Sequence, residues 1–356
     1  MSFLILTINP GSTSTKIGVY KDTEEQFSQN LSHSAEEIAQ FANVADQFSY
    51  RLEKIMDFLR TKGLSIKDFS AIVGRGGLLK PMISGTYSVS DAMLADLQSA
   101  KYGSHASNLG ALLANQLAKE ASCPAFIVDP VVVDELDPLA RISGRPEFPR
   151  RSVFHALNQK AVAKRFAKSI QRPYEELNLI VAHLGGGISV GCHNHGRVVE
   201  VNNALDGSGP FSPERAGTIP AGSLATYILE QRPEKPSVAK MLAGTGGLVA
   251  HLGTNDAREV VQRIEAGDEK AKMVFDAMIY SVSRYIAAAA VPVHGKVDQI
   301  ILTGGIAYSK YLTDKIAEYV GFIAPITIMP GEDELKALAE GAYRVLTGEE
   351  TVREYK

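Results

Sequence analysis

The sequence is poor in the features that mark nucleic-acid binders, membrane proteins and disulfide scaffolds. Net charge over its 356 residues is −3, and no long basic run occurs. Nucleic acid is therefore not an expected partner, because phosphate backbones are met by clustered lysine and arginine. There are two cysteines, Cys123 and Cys192, far apart and without metal-ligand spacing. Reduced thiols in a cytoplasmic protein are the expectation. The start, MSFLILTINPG, has no basic segment ahead of its short apolar run, so no signal peptide is expected. The longest apolar run, Ile286 to Val293, is far shorter than the ~20 residues a membrane helix needs, and it reads as the buried end of a helix. No membrane is expected as a partner. Low-complexity tracts and Gly/Ser linkers are absent as well.

What is present fits an ordinary α/β protein of two domains. Apolar residues make up 45%, enough for buried cores, and the length is about twice that of a usual domain. Runs with β character are Phe3–Asn9, Thr15–Tyr20, Ala71–Val73, Ala125–Val128, Leu179–His183, Ile188–His193, Val198–Val201, Gln299–Thr303 and Ile326–Met329. Several are continuously apolar, which predicts strands covered on both faces. Helical spacing predicts helices over Ala35–Lys62, Asp91–Ala100, Ser104–Glu120, Ser152–Ile170, Ala221–Gln231, Asn255–Ala266, Asp268–Ala290, Ser309–Val320 and Glu334–Leu346. Gly63 suits a left-handed stop to the first of these, and Ser90 suits a cap on the second. A strand, a glycine turn and a strand occur twice, in FLILTINPGSTSTKIGVY and in NLIVAHLGGGISVG. The repeat reads either as two domains that open alike or as two unrelated hairpins.

Three glycine turns follow apolar strands. The first, Asn9 to Lys16, places eight polar or turn residues where a simple hairpin needs two to five. Its hydroxyls, Lys16, the Asn9 amide and the small Gly11 suit an anionic ligand, and a polar hairpin loop is the alternative. It is not a Walker loop, since no G-x-x-x-x-G-K-[ST] occurs and a strand follows. The second, HLGGGISVG, has three consecutive glycines, which mark a close approach of backbone to something else. The third, ILTGGIAYS, ends a strand at Gly304-Gly305 ahead of a helix, as nucleotide sites do.

The ordered set NPGSTSTKIGVY, VGRGG, RRSVFHALNQKA, VAHLGGGISVG, ERAGTIPAG and ILTGGIA resembles the acetate kinase family. It runs from about residue 4 to about residue 345. VVVDELDPLARISGRPEFPRRSVFHALNQKA resembles that family's branch acting on butyrate and branched-chain carboxylates. The resemblance implies two ribonuclease H-like domains of the actin and Hsp70 type flanking a nucleotide cleft. Residues 1–150 with 334–356 would form one domain and 151–333 the other. It implies ATP, Mg²⁺, a short carboxylic acid as substrate, an acyl phosphate as product, hinge closure over both substrates and a homodimer. An acetate or propionate kinase is the alternative within the family. An ATP-driven conformational protein is the rival from another class, one that would lack cleft arginines.

The same resemblance implies the site residues. Arg75 would bind the carboxylate and the transferring phosphoryl group, and Arg215 would stabilise transition-state charge. His183 would donate to a phosphoryl oxygen, and His155 would point into the cleft from a helix start. Asp129 would be linked to Mg²⁺ or to Arg75. Asn9, Gly11, Ser12, Ser14 and Lys16 would receive the ATP phosphates, with Gly185, Gly186, Gly187, Gly304 and Gly305 lining the nucleotide. GEDELKALAEG would hold Mg²⁺ through water, by Asp333 or Glu334, with Glu332 beside them. Asp206 would lie near the phosphate path. His105, in SHASN, stands where acetate kinases carry a His-Asn-Pro-like stretch. The pair His193 and His195 marks a turn before Gly196 rather than a metal site.

Overall fold

The computed structural model describes residues 2–205 and 207–356; Met1 and Asp206 lie outside the described residues. The chain divides into two units. One runs to Val133 and takes back Asp333–Lys356; the other is Asp134–Glu332.

Unit 1 is built on strands β1 (Leu4–Pro10), β2 (Ser14–Lys21), β3 (Glu24–Ser32), β4 (Ala71–Arg75), β5 (Thr86–Ser88) and β6 (Ala125–Val128). Their order is β3-β2-β1-β4-β6-β5. The first three form an antiparallel meander, and β4 and β6 run parallel to β1. Leu6, Ile8, Ile17, Val19 and Ile72 pack with Ile55, Phe58 and Leu59 of helix Phe48–Thr61 and with Leu109, Leu113 and Leu117 of helix Asn108–Ala121. β3 and β5 are not among the expected strands. β3 is EEQFSQNLS, almost wholly exposed, and is held by its ladder to β2 rather than by an apolar face.

Unit 2 repeats the plan with β7 (Asn178–Leu184), β8 (Ile188–Asn194), β9 (Arg197–Val201), β10 (Gln299–Gly304) and β11 (Ile326–Pro330). Their order is β11-β10-β7-β8-β9. Each unit thus carries a meander whose first strand is followed outward by two parallel strands. The repeated strand–turn–strand pattern opens two sheets of like topology. Helix Glu269–Ala288 buries Phe275, Met278, Ile279, Val282 and Ile286 against Ile180, Ala182, Ile188 and Val190. Its stretch to Val293 is long and apolar enough to cross a membrane, yet this face is core.

The single helix expected over Ala35–Lys62 is three pieces: Ala35–Ala39, a 3₁₀ turn Val44–Gln47, and Phe48–Thr61. Asn43 breaks it. Its backbone is extended, and it makes a reciprocal capping box with Asp46 that restarts the chain. Gly63 has φ +68° as its capping role predicts, and Ser90 Oγ accepts from Met93 N.

Helix Asn108–Ala121 lies directly on β4 because two glycines face each other. A Cβ on Gly74 would stand 2.1 Å from the Gly110 carbonyl oxygen, and one on Gly110 would stand 2.3 Å from that of Arg75. Backbone cannot yield as a side-chain tip can. Gly110→Ala should therefore destabilise unit 1 by about 3 kcal/mol, the upper end for overpacking, read as a lowered urea midpoint. A midpoint within error of the parent would contradict this packing.

Candidate active site

In unit 1 the first glycine turn is tighter than its polarity suggested. β1 continues to Pro10 and β2 begins at Ser14, so the loop is Gly11–Thr13. Gly11 N donates to Ser14 O at 2.8 Å. Ser12, Thr13 and Lys16 are exposed, and Lys16 sits opposite Asn9 in the ladder. The turn is braced from behind by Arg51, which is fully buried. Its guanidinium donates to Gly11 O at 2.9 Å, Ser14 O at 2.9 Å, Thr15 Oγ1 at 2.8 Å and Gln47 Oε1 at 2.8 Å. All these partners are neutral. Thr15 Oγ1 also meets His33 Nε2 at 2.9 Å.

Burial, with the Arg51 charge second, pushes the His33 pKa down to about 4. Between that value and the ordinary 6.5, the unfolded chain takes a proton that the folded chain refuses. Stability should therefore fall as pH drops from about 6.5 to 4, by on the order of 2–3 kcal/mol from this residue. Denaturant titrations across that range should show a shallower dependence for His33→Gln. Equal slopes would contradict the assignment.

Arg75 ends β4 between glycines that admit close neighbours. A Cβ on Gly76 would meet Pro130 at 2.5 Å, and one on Gly77 would meet Asn108 at 2.5 Å. Arg75 Nη1 donates to Asn9 Oδ1 at 3.2 Å and pairs with Glu334 Oε1 at 2.8 Å. Asn9 Nδ2 closes the triangle on Glu334 Oε2 at 2.5 Å. Glu334 opens helix Glu334–Leu346, where the helix dipole favours a carboxylate. Nε and Nη2 of Arg75 have no partner among the described residues. One edge of the guanidinium fork is thus open to a planar oxyanion.

Asp129 is placed differently from its expected link to Arg75. Its backbone is left-handed, φ +38°, and Oδ1 accepts from Ser84 Oγ at 2.6 Å and Gly85 N at 2.7 Å. It fixes the turn ahead of β5 and is not bonded to Arg75. His105 does belong near Arg75: burial lowers its pKa first, and the Arg75 charge lowers it further. Its Nδ1 accepts from Ser107 N, so Nε2 carries the proton.

In unit 2 two histidines that are 28 positions apart come together. His183 lies at the end of β7, and His155 caps helix Ala156–Ser169. Their rings stack at 3.7 Å with 10° between planes. His183 Nδ1 meets Asn158 Oδ1 at 2.8 Å, and Nε2 faces Glu332 Oε1 at 3.2 Å. The three glycines of the second turn make room for side chains. A Cβ on Gly185 would stand 2.8 Å from Glu332 Oε1 and 3.0 Å from His183 Nε2. On Gly187 it would stand 2.2 Å from Arg215 Nη1. Gly186 faces Glu214, and its carbonyl accepts from Ser212 Oγ at 2.6 Å.

Arg215 is held in its loop: its guanidinium donates to Ala204 O and its N to Ser212 Oγ. Burial lowers its pKa. Gly304 has φ +89°, and its absent Cβ lets β10 pass Leu184 O, whereas Gly305 faces open space. The acidic run is split between the units: Glu332 serves His183 and Glu334 serves Arg75. His195 and Gly196 form the β8–β9 turn, with φ +49° and +84°, while His193 is a buried strand residue. Among the described residues no group of three His, Cys, Asp or Glu could hold a metal. Asp206 lies outside the described residues. Arg51, Asn158, Ser189 and the Gly74–Gly110 contact escaped the sequence reading. Of these, the Gly74–Gly110 contact left glycines to notice, in VGRGG and beside SHASN.

The chain is 53% identical to butyrate kinase 2 of Clostridium acetobutylicum over the full length of both. A probable butyrate kinase of Coprothermobacter proteolyticus is also 53% identical over the full length of both. The acetokinase family model matches residues 147–322. The chain belongs to the acetokinase family. Among solved structures, the acetate kinase of Porphyromonas gingivalis superposes with a TM-score of 0.75 at 16% identity, over 96% of this chain and 99% of that one. A propionate kinase from Francisella tularensis gives 0.73 at 19%, over 95% and 98%. These two show the acetokinase fold. The family model begins just before His155 and takes in His183, Arg215 and Gly304. Arg75, Asn9 and Glu334 fall within the full-length match to the butyrate kinases.

Proposed function

We propose that this acetokinase transfers the γ-phosphoryl group of ATP to butyrate or a similar short or branched carboxylate, giving the acyl phosphate and ADP, reversibly. The observation that carries this reading is the half-open guanidinium of Arg75, already pinned on one edge by Asn9 and Glu334. An arginine fork matches a carboxylate or a phosphoryl group in plane, and its own partner here is a carboxylate. A carboxylate oxygen attacks the γ-phosphorus, the bond to the β–γ bridging oxygen breaks, and ADP leaves. Such transfer needs positioning and charge neutralisation rather than covalent help.

In this reading Arg75 seats the acid and the transferring group, with Asn9, Gly11, Ser12, Ser14 and Lys16 receiving phosphates. His183, His155 and Arg215 meet phosphoryl charge, and Gly185, Gly186, Gly187, Gly304 and Gly305 keep the nucleotide path open. Arg215 would exchange its Ala204 carbonyl for phosphate oxygen. Asp129 would act through the turn it fixes. Mg²⁺ keeps most of its waters and takes few carboxylates, so the sparse pair Asp333 and Glu334 fits an ion carried on the nucleotide. The ion would neutralise phosphate charge there. We place the protein in the cytoplasm as a homodimer. Its thiols suit that setting: Cys123 is pushed up to about 11 and Cys192 to about 12 by burial.

The test is ATP, Mg²⁺ and hydroxylamine with acetate, propionate, butyrate, isobutyrate or isovalerate in parallel. Hydroxamate should form fastest with four- and five-carbon acids. Because one methylene changes specificity by only about 1–3 kcal/mol, neighbouring acids should compete. Acetate as the best acid would sink the butyrate assignment, and no hydroxamate with any acid would sink the reading altogether.

A further inference from the structure

The protein behind His155 dictates where that ring carries its proton. Gln159 is fully buried, one turn along the helix His155 caps. Its Nε2 lies 3.1 Å from the backbone carbonyl of Ser189, a group that only accepts, so the amide orientation is settled. The second N–H meets Ser189 Oγ at 2.8 Å. Gln159 Oε1 must then accept, and it meets His193 Nε2 at 3.0 Å. That proton leaves His193 Nδ1 to accept from Tyr174 OH at 2.7 Å. His193 is fully buried, and burial with the nearby Lys160 charge keeps it neutral, with a single ring proton.

The other end of the chain is equally constrained. Ser189 Oγ, fully buried, accepts from Gln159 and faces His155 N at 3.5 Å, which can only donate. The remaining neighbour is His155 Nδ1 at 2.8 Å. Among the described residues, that nitrogen is the acceptor the serine proton can reach. Gly191 confirms the close fit: a Cβ there would stand 2.5 Å from Gln159 Oε1.

We propose that Tyr174, His193, Gln159 and Ser189 form a directional hydrogen-bond relay that fixes the neutral Nε2–H tautomer of His155, and that Ser189 and Gln159 are positioning residues for phosphoryl transfer. The second clause rests on the function proposed above; the first does not. His155 then offers a donor of fixed direction, ready before substrate arrives. A neutral ring is also what the stack demands. Two positive rings 3.7 Å apart would repel.

The test is long-range proton–nitrogen correlation on the full chain with ¹⁵N-labelled histidine, at neutral pH. His155 should show an unprotonated Nδ1 and a protonated Nε2. In Ser189→Ala the two tautomers should mix, and kcat with butyrate should fall about 10–100-fold with little change in KM. Ser189→Thr, which keeps the hydroxyl, should retain the single tautomer. A proton on His155 Nδ1 in the parent protein overturns the relay, and this reading stands even if Ser189→Ala fails to fold. An unchanged tautomer in folded Ser189→Ala overturns it equally. A parent protein with the expected tautomer but no phosphoryl transfer would sink the functional assignment and leave the relay intact.

Discussion

Arg75→Ala should lower kcat/KM for butyrate by about 10³–10⁴-fold, within the range found for arginines that stabilise a transferring phosphoryl group. The loss has two parts. In the proposed reading the open fork would no longer seat the acid, and the charge facing the phosphoryl oxygens would be gone. Arg75→Lys should recover only a small share, since an ammonium is a point charge without the fork. Added guanidinium should partly restore Arg75→Ala. The fold should tolerate the change, because Arg75 is partly exposed and its pair with Glu334 is one of modest value. A variant that folds normally and keeps parental kcat/KM would remove Arg75 from the chemistry.

Gly187→Ala should lower kcat by about 10²–10³-fold although Gly187 carries no reactive group. Its new Cβ would stand 2.2 Å from Nη1 and 2.4 Å from Cζ of Arg215. The guanidinium is half-buried and tied to the Ala204 carbonyl, so the added methyl displaces it from that seat. The effect should therefore match that of Arg215→Ala, in line with loss of one preorganised donor. The double variant supplies the sharper reading. If Gly187 acts through Arg215, Gly187→Ala in an Arg215→Ala background should cost almost nothing further. Full additivity would assign Gly187 a separate role, such as direct backbone contact with the nucleotide.

Strands with apolar runs were legible because they are central and covered on both faces; Ala125–Val128 and Gln299–Gly304 are examples. β3 was not, because an exposed polar strand is specified by its partner's ladder and carries no pattern of its own. The Ala35–Lys62 stretch misled because its apolar spacing persists through Asn43, whose side-chain capping overrides periodicity. The second glycine turn reads as a place of close approach, but its neighbours were hidden. Gly185 and Gly187 make room for Glu332, His183 and Arg215, which come from distant parts of the chain. The resemblance located His155 and His183 separately; their stacking follows from the helix start meeting the strand end. Arg51 left no signal at all, being one more arginine on an amphipathic helix until the fold seals it under the Gly11–Thr13 loop.

The most direct test of the central claim follows the oxygen atoms. The protein, ATP and Mg²⁺ would be incubated with butyrate labelled with ¹⁸O in its carboxyl group, and the products read by phosphorus NMR. Attack by the carboxylate predicts ADP together with an acyl phosphate that carries ¹⁸O in the bond between the acyl carbon and phosphorus. ADP with unlabelled orthophosphate and no acyl phosphate would contradict the account, and would mark the protein as an ATPase that turns over without passing its phosphoryl group to an acid.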